Sequence, residues 1–298
     1  MISINYDKCT FCERCYEVCP NYVFSTCEEE GVGKVELKYP SHCCECAHCI
    51  LICPEGAITD KNIFPEKLRQ IEKIEIEPDK FMNIIFSRRS IRSFKTQSVP
   101  TESIKYLLKA AGNAGTASNS QSEKFIVVQN RETLQKLEKA VIEVLWAGKS
   151  LIIRRLKEKI SAPIKLMLGK KNKKSSTDYG KIFIAREKMG ELYGNEKIGG
   201  MIFRNAPAVI IVTGSKKNPL AATNSALAIR TMELLAVTMG LGTCWVGFLV
   251  VAAKYSRRID KFFNLSSDRS IYGALMIGYP KHEYIKMIDR KERVISWI

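Results

Sequence analysis

The chain has 298 residues, 46% of them hydrophobic and 26% charged, with a formal net charge of +16. That length fits one large domain or two smaller ones, and the composition excludes wholesale disorder, collagen-like repeats and a long coiled coil. No apolar run reaches the roughly 18 residues of a membrane-spanning helix, and Met1 to Lys8 carry no basic region followed by an apolar core. The expectation is a cytoplasmic globular protein without a transmembrane segment. Thiols stay reduced in such a compartment, so 11 cysteines suggest metal rather than disulfides.

Cysteine and charge are both unevenly placed. Ten cysteines lie between positions 9 and 53, and only Cys244 lies outside. Residues 1–60 hold four basic and ten acidic side chains, a net of −6; against +16 for the whole chain, residues 61–298 carry +22. This split predicts two domains. Cys9-x2-Cys12-x2-Cys15-x3-Cys19-Pro20 is followed by Cys43-x2-Cys46-x2-Cys49-x3-Cys53-Pro54. The duplicated spacing resembles that of bacterial two-cluster ferredoxins. A pair of zinc sites is the alternative, because C-x2-C is also a zinc spacing, but zinc needs neither the third cysteine nor the fourth before proline, twice over. The resemblance implies two 4Fe–4S clusters, each taking three thiolates from one loop and a fourth from the other motif. One cluster takes Cys9, Cys12, Cys15 and Cys53; the other takes Cys43, Cys46, Cys49 and Cys19. Cys27, Cys44, His42 and His48 fall outside the pattern.

Residues 61–80 read as a linker broken by Pro65 and Pro78, with a short helix at 66–72. Asp79 is the expected N-cap of a helix carrying Phe81, Ile84, Ile85 and Arg88 on one face. A second helix is expected from Thr101 through Ile104, Leu107, Leu108 and Ala111. Strand 125–129 follows, then a helix capped by Asn130. Strand 209–213, a long helix over 225–239 ending at Gly240, and strand 271–277 complete the pattern. Residues 81–298 are thus a mixed α+β domain with helices packed around a sheet.

Three segments of this domain carry chemistry. Ser87-Arg88-Arg89-Ser90-Ile91-Arg92-Ser93-Phe94 offers guanidinium donors suited to phosphate, although taken alone such a run is more often a solvated face. Gly115-Thr116-Ala117-Ser118-Asn119-Ser120-Gln121 is a run of small polar residues before a buried strand; it suits a flat ligand, or simply caps the strand. Gly240-Leu241-Gly242-Thr243-Cys244-Trp245-Val246-Gly247 lacks a dinucleotide fingerprint. Its glycines bring backbone N–H groups near a ring edge, or form a helix stop and a packing turn. As a set, in this order, and with the ending Gly278-Tyr279-Pro280 … Arg290-Lys291 … Trp297-Ile298, the segments resemble the nitroreductase family of flavoproteins over residues 81–298. The whole chain resembles ferredoxin-fused nitroreductases of anaerobes.

The resemblance implies a homodimer with FMN in a cleft between subunits. Arg88, Arg89 and Ser90 would hold the phosphate, ribityl chain and pyrimidine edge, and Arg92 the side of the ring that becomes negative on reduction. Thr116, Ala117, Ser118 and Asn119, with Gln121 as a weaker candidate, would approach FMN from the other subunit. The backbone of Val246 and Gly247 would face flavin N5. Arg290, with Lys286 or Lys291, would complete the phosphate site. A very basic insertion at 146–200, densest over 149–174, would form a lid over the cleft. Its competing reading is a nucleic-acid or anionic-membrane patch, which the lack of aromatic interleaving disfavours. The implied activity takes single electrons through the clusters and reduces nitroaromatics, quinones or activated alkenes by hydride transfer from FMN. The donor would be reduced ferredoxin or a similar low-potential carrier, with NAD(P)H also compatible. A non-catalytic electron carrier or redox sensor is the alternative.

Overall fold

The structure is a computed structural model that describes residues 2–29, 31–63, 66, 68–159, 200–288 and 290–298. Its chain divides into two units, Met1–Ile76 with Thr116–Gln121, and Glu77–Gly115 with Ser122–Ile298. The second unit therefore gives up a six-residue segment to the first.

The first unit is organised around its cysteine loops. Strand β1 (Ile2–Ile4) pairs antiparallel with β4 (Ile58–Asp60), and β2 (Phe24–Glu29) with β3 (Val32–Leu37). Two short helices, α1 (Arg14–Glu17) and α2 (His48–Ile52), each contain the third cysteine of a motif. The loops before them share one backbone device. Phe11 (φ 53°) and Glu13 (φ 56°) flank Cys12 in left-handed conformations, and Glu45 (φ 54°) and Ala47 (φ 63°) flank Cys46 in the same way. A non-glycine residue in that region costs about 1 kcal/mol or more. Four such residues at matched positions mean that the loop shape is imposed by what it encloses; alternating left- and right-handed residues turn backbone N–H groups inward, as in anion-holding nests. The apolar core is thin (Ile2, Val23, Phe24, Val35 and Ile58, with Cys49). A domain this small needs a further staple, which metal ligation supplies.

The second unit is built on one four-stranded antiparallel sheet. Its strands are β5 (Lys124–Val128), β6 (Ala208–Ser215), β7 (Gly242–Trp245) and β8 (Arg269–Gly278), in the order β5-β6-β8-β7. The period-two alternation of strand side chains divides β6 between two cores. Val209 and Ile211 face Leu137, Val141 and Leu145 of α5 (Arg131–Lys159), together with Leu249 and Ile259. Ala208, Ile210 and Val212 face Ile104 and Leu107 of α4 (Thr101–Gly112), and Ile229 and Met232 of α6 (Ala221–Thr238). Helices cover both faces, which explains why the strand reads as an unbroken apolar run rather than as an alternation. Helices α3 (Pro78–Ser87), α7 (Gly247–Tyr255) and α8 (Arg257–Phe262) complete the unit. No described helix is long and apolar enough to cross a membrane.

Several expectations need correction. Helix α3 is capped by Glu77 rather than Asp79. Pro78 fixes the first helical position and forces the residue before it to be extended, so Asp79 falls in the first turn, where its charge suits the helix dipole. Helix α4 begins at Thr101 as expected, with Pro100 at its N-cap position. Residues 68–76 hold no regular structure in place of the short helix expected at 66–72. The segment 242–245, read as a turn or a ligand loop, is the edge strand β7. Asn130 does cap α5, its Oδ1 accepting the Thr133 N–H at 2.9 Å. Of the insertion expected at 146–200, α5 extends into the first part as far as Lys159, and residues 160–199 lie outside the described residues.

The chain re-enters the described fold on a buried carboxylate. Glu138 on α5 accepts the N–H groups of Gly200 (3.0 Å), Phe203 (3.3 Å) and Ile202. It is 4% exposed. Glu138→Ala orphans buried donors that were bonded to a charged acceptor, and should destabilise the protein by about 3 kcal/mol in denaturant titration.

Candidate functional site

Each unit carries its own candidate site. In the first, the cysteines line two cavities, and their distribution follows the interleaved pattern. One cavity is walled by Cys43, Cys46 and Cys49 from one motif and Cys19 from the other, with Cys44 beside them. The second is walled by Cys9, Cys12 and Cys15, with Cys53 crossing over. Cys19 and Cys53 share the same contact, a backbone N–H four residues on. Val23 donates to Cys19 Sγ at 3.4 Å and Ala57 to Cys53 Sγ at 3.2 Å. Glu45 N–H donates to Cys43 Sγ at 3.4 Å. Such N–H···S bonds stabilise a thiolate ligand and tune its metal. Among the described residues no three His, Cys, Asp or Glu side chains gather closely enough for a single ion. Burial, with the neighbouring thiols adding to it, pushes Cys15 up to about 11 and Cys49 up to about 12. Metal must therefore displace protons from these thiols when it binds near neutral pH.

The Thr116–Gln121 segment folds against this unit. Asn119 Nδ2 donates to the carbonyls of Cys44 (3.1 Å) and Glu45 (3.0 Å), and its Oδ1 accepts from Gln121 Nε2 at 2.8 Å. The Gln121 N–H in turn donates to Thr116 Oγ1 at 3.1 Å. Every polar atom of the Asn119 side chain is engaged, so any flavin contact at 116–119 would fall to the backbone and to neighbouring side chains.

In the second unit, the residues between Arg88 and Phe94 run along the edge of the sheet. Ile91 N–H donates to Thr243 O at 2.9 Å, Lys95 N–H to Tyr279 O at 2.8 Å, and Lys281 N–H to Ser93 O at 3.0 Å. Gly242 permits this approach: a Cβ there would lie 2.6 Å from Ile91 Cγ1 and 2.9 Å from Pro280 Cγ. Just upstream, Gly240 (φ +66°) ends α6, with Leu241 N–H bonded back to Ala236 O and Gly240 N–H to Val237 O. This is the paired C-terminal motif that a left-handed glycine allows.

These segments enclose a cleft of about 410 Å³ lined by Arg88, Arg89, Lys95, Gly242, Thr243 and Tyr279 through Tyr284, Lys281 excepted. The volume is in the range of cofactor sites. Arg88 Nη1 lies 3.5 Å from Glu233 Oε1, and Arg230 Nη1 lies 3.6 Å from the other carboxylate oxygen. Two guanidinium groups share one carboxylate, which leaves net positive charge. Arg88 Nε is buried with no hydrogen-bond partner, an orphaned donor that an anionic ligand would satisfy. Ser90 forms a bridge to Thr243. Burial pushes the Cys244 thiol above its ordinary value, opposed by the charge of Arg92 and a hydrogen bond with Ser90, so these three residues are neighbours. Val246 N–H is committed to Ala274 O at 2.9 Å. Gly247 opens α7, where an N–H has no partner within the helix, and so offers the free donor of that pair.

Lys286, Arg290 and Lys291 are exposed, and neither they nor Ser90, Arg92, Val246 and Gly247 line the cleft. Sequence reasoning did not find Lys95, His282 or Glu233. For Glu233 a signal existed: it lies on the same stripe of α6 as Ile229, Met232 and Ala236, a charge on a face otherwise apolar.

The nitroreductase family matches residues 85–279, and a 4Fe–4S binding domain matches residues 2–25. The chain belongs to the nitroreductase family, and is an oxidoreductase carrying a ferredoxin domain at its N-terminal end. That domain is 35% identical over 66 residues to an uncharacterized ferredoxin of Methanocaldococcus jannaschii, spanning 84% of that protein and 22% of this chain. A stretch of 59 residues is 42% identical to a putative NADH dehydrogenase/NAD(P)H nitroreductase of Archaeoglobus fulgidus, spanning 20% of this chain and only 34% of that relative. Solved nitroreductases with bound FMN from Bacteroides fragilis and Desulfitobacterium hafniense share the fold, with TM-scores of 0.54 and 0.52. They are 18% and 19% identical, and each comparison covers 74% of this chain and 98% of the other.

The two cavities give a direct test of ligand assignment. Cys53→Ser should disturb the centre held by Cys9, Cys12 and Cys15, and Cys19→Ser the other. Electron paramagnetic resonance of the reduced variants should lose different signals; loss of the same signal would contradict the crossing.

Proposed function

We propose that this chain holds FMN in the basic cleft and two 4Fe–4S clusters in the cysteine cavities, and reduces a small-molecule acceptor of the nitroaromatic, quinone or activated-alkene class. The observation that carries the reading is the pairing of two four-cysteine cavities with a cleft whose buried arginine has an unsatisfied donor. When bound, the clusters supply electrons one at a time and FMN delivers them in pairs, as a hydride equivalent.

The protein's own groups have distinct tasks. Arg88 and Arg89 bind the phosphate end; Glu233 fixes Arg88 in place, and sharing Glu233 with Arg230 keeps the positive charge from being fully neutralised. Ser90 and Thr243 hold the Arg88–Phe94 segment on the sheet edge, and Arg92 sets a positive charge where reduction makes the ring negative. Gly247 N–H is the donor for the flavin's N5 edge, since Val246 N–H is spent on β8. Thiolate ligands suit a reducing, cytoplasmic setting. The external donor is a reduced ferredoxin or similar low-potential carrier, and NAD(P)H is a compatible second source.

A homodimer is part of this proposal. In the single chain Ile285, Val294 and Trp297 are 89%, 100% and 92% exposed, and Phe81, Met82 and Phe86 of α3 are also exposed. Apolar side chains this bare, in this number, call for a covering surface, and a second copy supplies two equivalent ones.

Anaerobically purified protein should contain about eight iron, about eight sulfide and about one FMN per chain. It should turn over a nitroaromatic with reduced ferredoxin. Arg88→Ala combined with Arg89→Ala should lower FMN affinity by roughly 100-fold, seen as loss of flavin absorbance, while iron content stays unchanged; retained flavin would remove the cleft from consideration. Deleting residues 284–298 should shift the protein from dimer to monomer in sedimentation.

A further inference from the structure

The two cysteine loops share their pattern of left-handed residues, and the second carries a contact of its own. Asn119 grips the Cys44 and Glu45 carbonyls of the second loop. The corresponding carbonyls of the first loop, those of Thr10 and Phe11, receive no side-chain donor among the described residues. A peptide is planar and trans, so its N–H points opposite to its C=O. Pulling the Cys44 oxygen toward Asn119 turns the Glu45 N–H the other way, where it meets Cys43 Sγ at 3.4 Å. The Cys46 N–H, on the next peptide, bonds the Cys44 thiol instead. Both peptides belong to the wall of the cavity that Cys43, Cys46, Cys49 and Cys19 share.

The grip is itself braced. Gln121 holds Asn119 Oδ1, and Thr116 Oγ1 holds the Gln121 N–H. Ser118, Asn119 and Gln121 all have positive φ (51°, 51° and 39°). Three left-handed residues in four are costly, and this shape delivers the Asn119 amide to the two carbonyls. From the other side, Asn62 Nδ2 donates to Glu45 Oε1 at 2.7 Å, so the loop is held by both ends of Glu45.

We propose that Asn119 is a positioning residue for the cluster held by Cys43, Cys46, Cys49 and Cys19, and that by aiming the Glu45 N–H at Cys43 Sγ it raises that cluster's potential. The inference rests on the reading that the cysteine cavities hold clusters. Hydrogen bonds to ligand sulfur stabilise the more negative, reduced state and so raise the potential. Partners one layer outside the ligands typically change metal affinity by 10- to 100-fold.

The test compares wild type with Asn119→Ala and Asn119→Asp in the full-length protein, by redox titration followed with electron paramagnetic resonance. The signal that Cys46→Ser abolishes should move to lower potential in both variants. That cluster should lose iron to a chelator about tenfold faster, while the signal that Cys53→Ser abolishes stays in place. Asn119→Asp keeps the shape but sets a carboxylate against two carbonyls, so its shift should be the larger; Gln121→Ala, which removes only the brace, should give a smaller one. Unchanged potentials in both Asn119 variants would overturn the proposal. So would equal shifts in both clusters, or loss of FMN with both clusters unaltered. If wild-type protein bound no cluster at all, the reading beneath the proposal would fail first, and the iron analysis separates that case.

Discussion

Strand β8 is the constraint on which the flavin-domain site depends. It is buried along most of its length and pairs with β6 on one side and β7 on the other. Ala274 receives the Val246 N–H, which fixes where α7 begins and therefore where the Gly247 N–H points. Gly278 stands opposite Gly242, and the chain leaving β8 pairs with Phe94 and Lys95. Two walls of the cleft, the Arg88–Phe94 segment and the 279–284 exit, thus hang on one strand and its neighbour β7. A cleft organised in this way keeps its shape before any ligand enters, which lowers the ordering cost of binding.

The first unit has the opposite character. Its core is thin, its loops hold four residues in costly left-handed conformations, and two of its thiols are driven far from their reactive form by burial. None of these features is favourable alone. They become consistent when the loops wrap a cluster that satisfies the inward N–H groups and takes the thiol protons' place. One half of the protein is pre-formed, and the other is completed by what it binds.

How much of this the sequence disclosed depended on how local the determinant was. The cysteine spacing was fully readable, because three ligands of each set lie within seven residues and the fourth precedes a proline. Arg88, Arg89 and Ser90 were readable as a segment, and the first two line the cleft. Strand β7 was not, because it is four residues long and opens with a glycine that looks like a turn. Its strand character comes from pairing with β8, more than thirty residues later. The role of Glu138 was hidden because its partners lie more than sixty positions on. That the Asn119 amide is used on carbonyls 74 and 75 positions earlier was hidden, because nothing near it in sequence reveals those partners. Arg290 and its neighbours sit on exposed chain, so their sequence match did not translate into a place in the cleft.

The Glu138 contact has a meaning for how such a protein can change over generations. Three backbone N–H groups, those of Gly200, Ile202 and Phe203, converge on one carboxylate of α5. Any residue but proline supplies such a donor, whereas the acceptor is one particular side chain. Drift on the two sides of the contact is therefore unequal. Position 138 has to stay a carboxylate, while the hydrogen bonds ask nothing of residues 202 and 203 beyond the exclusion of proline.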